Sequence, residues 1–182
     1  MKDFINKVLS NRENFLNESL THRDTIKVQE CVMKALKLDN LNQLRDKFEG
    51  LDFIERFSVK IFGVIALEKI IKMNLIDWDN IDPKNYVPRV NLFGKDIDII
   101  MSNYGEFPVI EKQSKFPAIL TVKNTHKSVW ICGFADVDTL NKNQEDKFLK
   151  GEMTKGLESK TAFIGYNELK SFYTFDDLKA LV

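Results

Sequence analysis

Residues suited to covalent or metal chemistry are scarce in this chain. Its two cysteines, Cys31 and Cys132, and its two histidines, His22 and His126, share no metal-ligand or nucleophile spacing. A zinc site and a Cys-His nucleophile are therefore excluded, and two isolated thiols fit a reducing compartment better than a disulfide framework. The eight glycines form neither GxGxxG nor GxxxxGK[ST], which removes the P-loop NTPases and the dinucleotide-binding enzymes. Net charge is lacking too: 27 Lys and Arg balance 27 Asp and Glu, so no polyanion is held by bulk charge, although a local basic patch stays open. The longest apolar run, residues 61 to 67, is far short of the roughly 20 needed to cross a bilayer. Met1, Lys2, Asp3 and Phe4 do not begin a secretory leader, so the expectation is a cytoplasmic protein with no membrane partner. Arginine is rare, five against 22 lysines, and Asn, Ile and Phe are plentiful. That bias is the mark of AT-rich coding, as in an AT-rich bacterium or a mobile element such as a phage.

What is present is enough for a core. With 182 residues and 43% hydrophobic content the chain can bury most of its apolar surface without staples. Phe4, Ile5, Val8 and Leu9, and then Ile26, Cys31, Met33, Ala35, Leu36 and Leu38, recur at helical spacing, so residues 1 to 50 read as a helical segment closed by Gly50 as a C-cap. Residues 51 to 76 are free of proline and apolar over most of the helical circumference, which predicts a long, buried central helix. Asp79, Asn80, Asp82 and Pro83 then break it.

From residue 85 the period becomes strand-like. Runs at 97 to 100, 107 to 110, 118 to 122 and 129 to 134, with turn signals between them, predict an antiparallel meander of four strands. A polar helix or loop over 138 to 150, a glycine-bearing linker over 151 to 156, a strand over 161 to 166 and a helix over 175 to 181 follow. The fold class is α+β: N-terminal helices, then a mostly antiparallel sheet of four to five strands packed on the central helix. Residues 1 to 50 form one segment and 51 to 182 the core with its C-terminal extension.

Asp98, with Asp96 as an alternative, lies at the mouth of one predicted strand, and Glu111 lies at the far end of the next. In neighbouring antiparallel strands two such carboxylates can be side by side. Their repulsion is relieved by a hard divalent cation such as Mg²⁺, which can activate water and stabilise charge on a phosphate. On the central helix, Glu68 interrupts the apolar row Phe57, Ile61, Val64, Ile71 and Leu75, so it points towards the core or a cleft, or reaches solvent, or pairs with Lys69 or Lys72. Lys112, Lys115, Lys123, His126 and Lys127 cluster in sequence, a candidate phosphate-contacting patch or a solvated face.

Across residues 53 to 134 the order Asp98, Glu111, Gln113 resembles the PD-(D/E)XK nuclease superfamily, in which an Asp on one strand precedes an acid and a Lys two residues apart on the next. The resemblance implies that Asp98 and Glu111 bind Mg²⁺ with Glu68 as an additional ligand. Gln113 stands where the catalytic Lys is usual; a second alignment, through Thr121, Val122 and Lys123, supplies the Lys and loses the acid. Gln144 to Phe148 resembles the Gln-x-x-x-Tyr element of some of these nucleases, with Phe in place of Tyr. Two functions follow as expectations. One is a metal-dependent endonuclease-like protein that acts on or binds DNA, with a degenerate motif, using Asp98, Glu111, Gln113 and Lys123. The other is a mobile-element or phage-type interaction protein that binds and inhibits a host protein or nucleoprotein complex, for which the 14 Phe, four Tyr and two Trp supply interface material.

Overall fold

A computed structural model describes residues 1–46, 50–124, 127–149 and 158–182. The chain is α+β. Short helix α1 (Lys2–Lys7) and a 3-10 turn lead into strand β1 (Leu16–Ser19), then helices α2 (His22–Leu36), α3 (Leu41–Asp46) and α4 (Gly50–Ile71). Strands β2 (Arg89–Leu92), β3 (Lys95–Asn103), β4 (Val109–Glu111), β5 (Ala118–Asn124) and β6 (Ser128–Ala135) follow. Helix α5 (Val137–Lys142), strand β7 (Lys160–Ala162) and helix α6 (Phe175–Leu181) complete it. No helix among the described residues is long and apolar enough to cross a membrane.

Five strands form one sheet in the order β1-β6-β5-β3-β2, and β4 pairs with β7 in a second, two-stranded sheet. Three of the four ladders in the large sheet are antiparallel; β3 and β5 run parallel, with Asp98 opposite Ala118 and Asn103 opposite Lys123. The expected four-strand meander is corrected here. The segment that holds β4 leaves the sheet, because a parallel pair requires a crossover of a dozen or more residues. In this chain the crossover carries a strand instead of the usual helix, and β7 provides its partner.

The sheet separates two apolar cores. Helix α4 covers one face, where Phe57, Ile61, Val64 and Leu67 meet Ile97, Ile99, Ile119, Val129 and Ile131 with Leu178 of α6. On the other face Phe4, Ile110, Leu140, Phe163 and Tyr166 cover Ala118, Leu120, Val122, Trp130 and Cys132. Strand β6 is buried along its whole length and β5 along most of it, which is why both read as continuous apolar runs and not as alternating ones.

Helix α4 starts at Gly50, which therefore opens this helix and does not cap the one before it. It stops at Ile71, short of residue 76, for a local reason. Lys72 takes a left-handed conformation at φ 57°, and the Met73 amide returns to the Glu68 carbonyl at 3.2 Å, a Schellman-type ending.

In β6 the ladder slips: Leu120 faces Gly133 while Thr121 faces Ile131, leaving Cys132 as the extra residue of a bulge. The slip moves Phe134 onto the α4 face, whereas Cys132 and Ala135 belong to the other core. Gly133 has φ 141°, and a Cβ there would lie 2.9 Å from the Lys170 carbonyl oxygen, whose strand-like segment is bonded to Phe134 in both directions at 2.8 and 2.9 Å. Gly133→Ala is expected to lower stability by about 2–4 kcal/mol through strain and overlap together. Gly94→Ala, at φ 77° with open space around it, is expected to lose about 1 kcal/mol. Urea unfolding of both variants checks this, and equal losses would contradict the packing at Gly133.

Candidate functional site

The crossover delivers the chain back to the start of β3. Pro117 accepts the Asp98 amide at 2.9 Å, which sets residues 111 to 116 against the same end of the sheet as Asp98. The result is a cleft of about 550 Å³ lined by Arg89, Asp98, Glu111, Lys112, Gln113 and Lys115, with Glu158 and Ser159, and with Ile100, Phe116 and Leu140 among its apolar lining. Asp98, Glu111 and Gln113 are thus brought together, although β3 and β4 are not hydrogen-bonded neighbours. Asp96 faces Asn91 across the β2–β3 ladder and accepts from its amide at 2.8 Å, outside this lining.

The wall formed by residues 111 to 114 is held by hydrogen bonds. The Lys112 amide donates to Ser159 at 2.7 Å, and the Ser114 amide donates to the Asn141 side chain at 2.9 Å. The Gln144 side chain donates to the carbonyls of Lys112 at 3.2 Å and Glu111 at 3.5 Å, so this residue shapes the cleft without lining it. Phe148 stacks on Phe107, ring centres 4.6 Å apart.

Each acid of the expected pair already has a cation. Asp98 accepts from Arg89 Nε at 2.6 Å, and Glu111 sits 3.4 Å from Lys160 Nζ, its partner across the β4–β7 ladder. Lys112 in turn pairs with Asp146 at 2.9 Å. The Arg89 guanidinium is held protonated more firmly than usual, first by its hydrogen bond to Asp98. Among the described residues no three His, Cys, Asp or Glu side chains gather closely enough to hold a metal ion. Both carboxylates of the expected pair are engaged by side-chain cations, so as arranged they do not present free donors to Mg²⁺.

The remaining expected site residues lie elsewhere. Glu68 accepts the amides of Leu75 at 2.6 Å and Ile76 at 2.9 Å, fastening the segment after α4; its carboxylate is engaged with backbone and does not line the cleft. Lys123 is five residues along the ladder from the level of Asp98, roughly 17 Å at the rise of a strand, so it cannot serve the same centre. It stands over Phe62 and shares a separate pocket with Lys127, Tyr104 and Leu20. The basic patch is accordingly divided by the length of β5, with Lys112 and Lys115 at one end and Lys123 and Lys127 at the other. His126 lies outside the described residues.

Neither thiol is set up as a thiolate. Burial pushes the Cys132 thiol well above its ordinary range, and burial also raises that of Cys31. Arg89 and Phe116 line this cleft and Lys160 pairs with Glu111, and none of the three stands out in the sequence as a site residue. The available signal was the spacing around Phe93-Gly94, which folds Arg89 directly opposite Asp98 once a two-residue hairpin is recognised. No family model, no curated protein and no solved structure matches this chain.

Glu68→Ala is expected to destabilise the protein by about 1–3 kcal/mol, since two partly buried amides lose their acceptor. Glu68→Gln keeps an acceptor oxygen and should lose less than half as much. Denaturant midpoints for the two variants decide this; an unchanged midpoint for Glu68→Ala would refute the fastening role.

Proposed function

We propose that this chain is a nuclease-like protein that holds a nucleic-acid strand at the Asp98–Glu111 cleft without cutting it. The observation that carries this reading is convergence: Asp98, Glu111, Gln113, Lys112 and Lys115 arrive from two strands and a crossover on one opening. A metal-dependent phosphodiesterase needs carboxylates available to the ion. Here Arg89 and Lys160 occupy Asp98 and Glu111, and Gln113 replaces the basic group that polarises the attacking water in the nucleases this motif resembles.

The lining supports local contacts and not a bulk field. Arg89, Lys112 and Lys115 are balanced there by Asp98, Glu111 and Glu158. Binding through about two phosphate contacts to a single strand gives a shallow salt dependence, roughly a sevenfold loss between about 50 and about 200 mM salt. A polybasic surface would lose far more.

Fluorescence anisotropy with short single- and double-stranded DNA, alongside supercoiled plasmid incubated in Mg²⁺, Mn²⁺ or EDTA, tests the proposal. Expected are retention of DNA in all three conditions, an intact plasmid, and a several-fold weaker complex for Lys115→Ala. Metal-dependent nicking that Asp98→Ala abolishes would overturn the non-cutting part. Absence of any complex would overturn the nucleic-acid reading and leave the host-protein inhibitor as the next hypothesis.

A further inference from the structure

Within the cleft one cation differs from the others in how it is held. Arg89 stands directly opposite Asp98 in the β2–β3 ladder, so the pair is a cross-strand contact between two regular strands and not a chance meeting of flexible side chains. Asp98 takes the Nε–H through a single oxygen at 2.6 Å. The guanidinium carbon lies 3.8 Å from the centre of the Phe116 ring, close enough for the ring face to stabilise the cation and fix its plane. Phe116 itself is placed by the crossover, one residue before the carbonyl that receives the Asp98 amide. Three separate pieces of chain therefore fix one guanidinium, while about a third of the Arg89 side chain stays exposed at the cleft.

An arginine held at Nε and stacked on one face has lost most of the rotamer freedom that binding would otherwise remove. Its terminal nitrogens remain on the far side of the group from the carbon that bears Nε. Those nitrogens form the fork that matches two oxygens of a phosphate. Lysine at this position would offer a point charge on a mobile stem.

We infer that Arg89 is the phosphate-receiving group of the cleft, presenting its terminal nitrogens to a phosphodiester, and that Asp98 is its positioning residue and not a metal ligand. The inference rests on the nucleic-acid reading of the same cleft and deepens it. Lys115, exposed on the same lining, supplies the second charge. The arrangement gives Asp98 a partner built into the adjacent strand.

The test uses the full chain with Arg89→Lys, Asp98→Asn and Asp98→Ala, each checked for an unchanged melting transition, in EDTA throughout. Two probes are used: a short fluorescein-labelled single-stranded DNA, and inorganic phosphate followed through the arginine Nε–H signals in NMR. Arg89→Lys should weaken DNA binding about tenfold or more, because charge is kept and the fork is lost. Asp98→Asn retains an oxygen acceptor for Nε–H and should lose about two- to threefold, with Asp98→Ala approaching the loss of Arg89→Lys. Phosphate should shift one Nε–H signal, and that signal should be missing from Arg89→Lys. Wild-type-like DNA binding by Arg89→Lys would overturn the inference and leave the nucleic-acid reading standing. If DNA does not bind while phosphate still shifts the Arg89 signal, the nucleic-acid reading fails and the receptor role survives. No response to either probe overturns both, and equal losses in Asp98→Asn and Asp98→Ala would remove the positioning role.

Discussion

The parallel register of β3 with β5 is the constraint on which the site depends. Two parallel neighbours cannot be joined by a turn, so the chain leaving β3 at Asn103 must travel back along the sheet before β5 can begin at Ala118. That return journey passes over the face opposite α4, gains β7 as a partner, and ends beside Asp98. Were β3 and β5 antiparallel, residues 111 to 116 would have no reason to meet Asp98, and Phe116 would not underlie Arg89. The cleft is a by-product of sheet topology, its wall held by a hydrogen bond that Asn141 accepts and one that Gln144 donates.

Electrostatics then decide what such a cleft can do. Exposed ion pairs contribute little to stability, typically less than about 1 kcal/mol, so Arg89–Asp98 and Lys160–Glu111 are poor explanations of why the fold exists. Their effect is on chemistry: a carboxylate already bound to a cation is a weaker ligand for a second one. Each acid is paired from an adjacent strand, Asp98 from β2 and Glu111 from β7.

Much of the fold was legible in residues. Helix α4, the strands β3, β5 and β6 and helix α6 follow from apolar period and length, and the α+β class follows with them. Strand β2 was not, because its hairpin uses Phe93 and Gly94, both at positive φ, where an Asn-Gly or Asp-Gly pair would have announced the turn. Phe93 bears that conformation while stacked on Phe175, a tertiary contact from more than 80 residues away. Strand β1 was missed as well, being a four-residue edge with half-buried Leu16 and Glu18 side chains. Of the site, the sequence order of Asp98, Glu111 and Gln113 led to residues that do share a cleft, but through a wrong picture of adjacent strands. Glu68 stands out in the sequence as the one charge on an apolar row; that its partners are the amides at 75 and 76 depends on where the helix ends, which a left-handed Lys72 decides. The lysine patch misled because nearness in sequence along a strand becomes distance in space.

The pairing of β1 with β6 carries a consequence for how the molecule assembles. Leu16 meets Ile131 and Ser19 meets Ser128, so this edge of the sheet closes a loop of more than 100 residues, and β7 must likewise reach back from residue 160 to complete β4. Contacts of such sequence separation form late and slow the search for the native state. On the ribosome, β1 emerges long before its partner and α4 presents an apolar face with no sheet to cover. Helical hairpins can condense early from the first 71 residues, while the cleft, whose wall requires β4, β5, α5 and β7 together, is among the last parts of the molecule to exist.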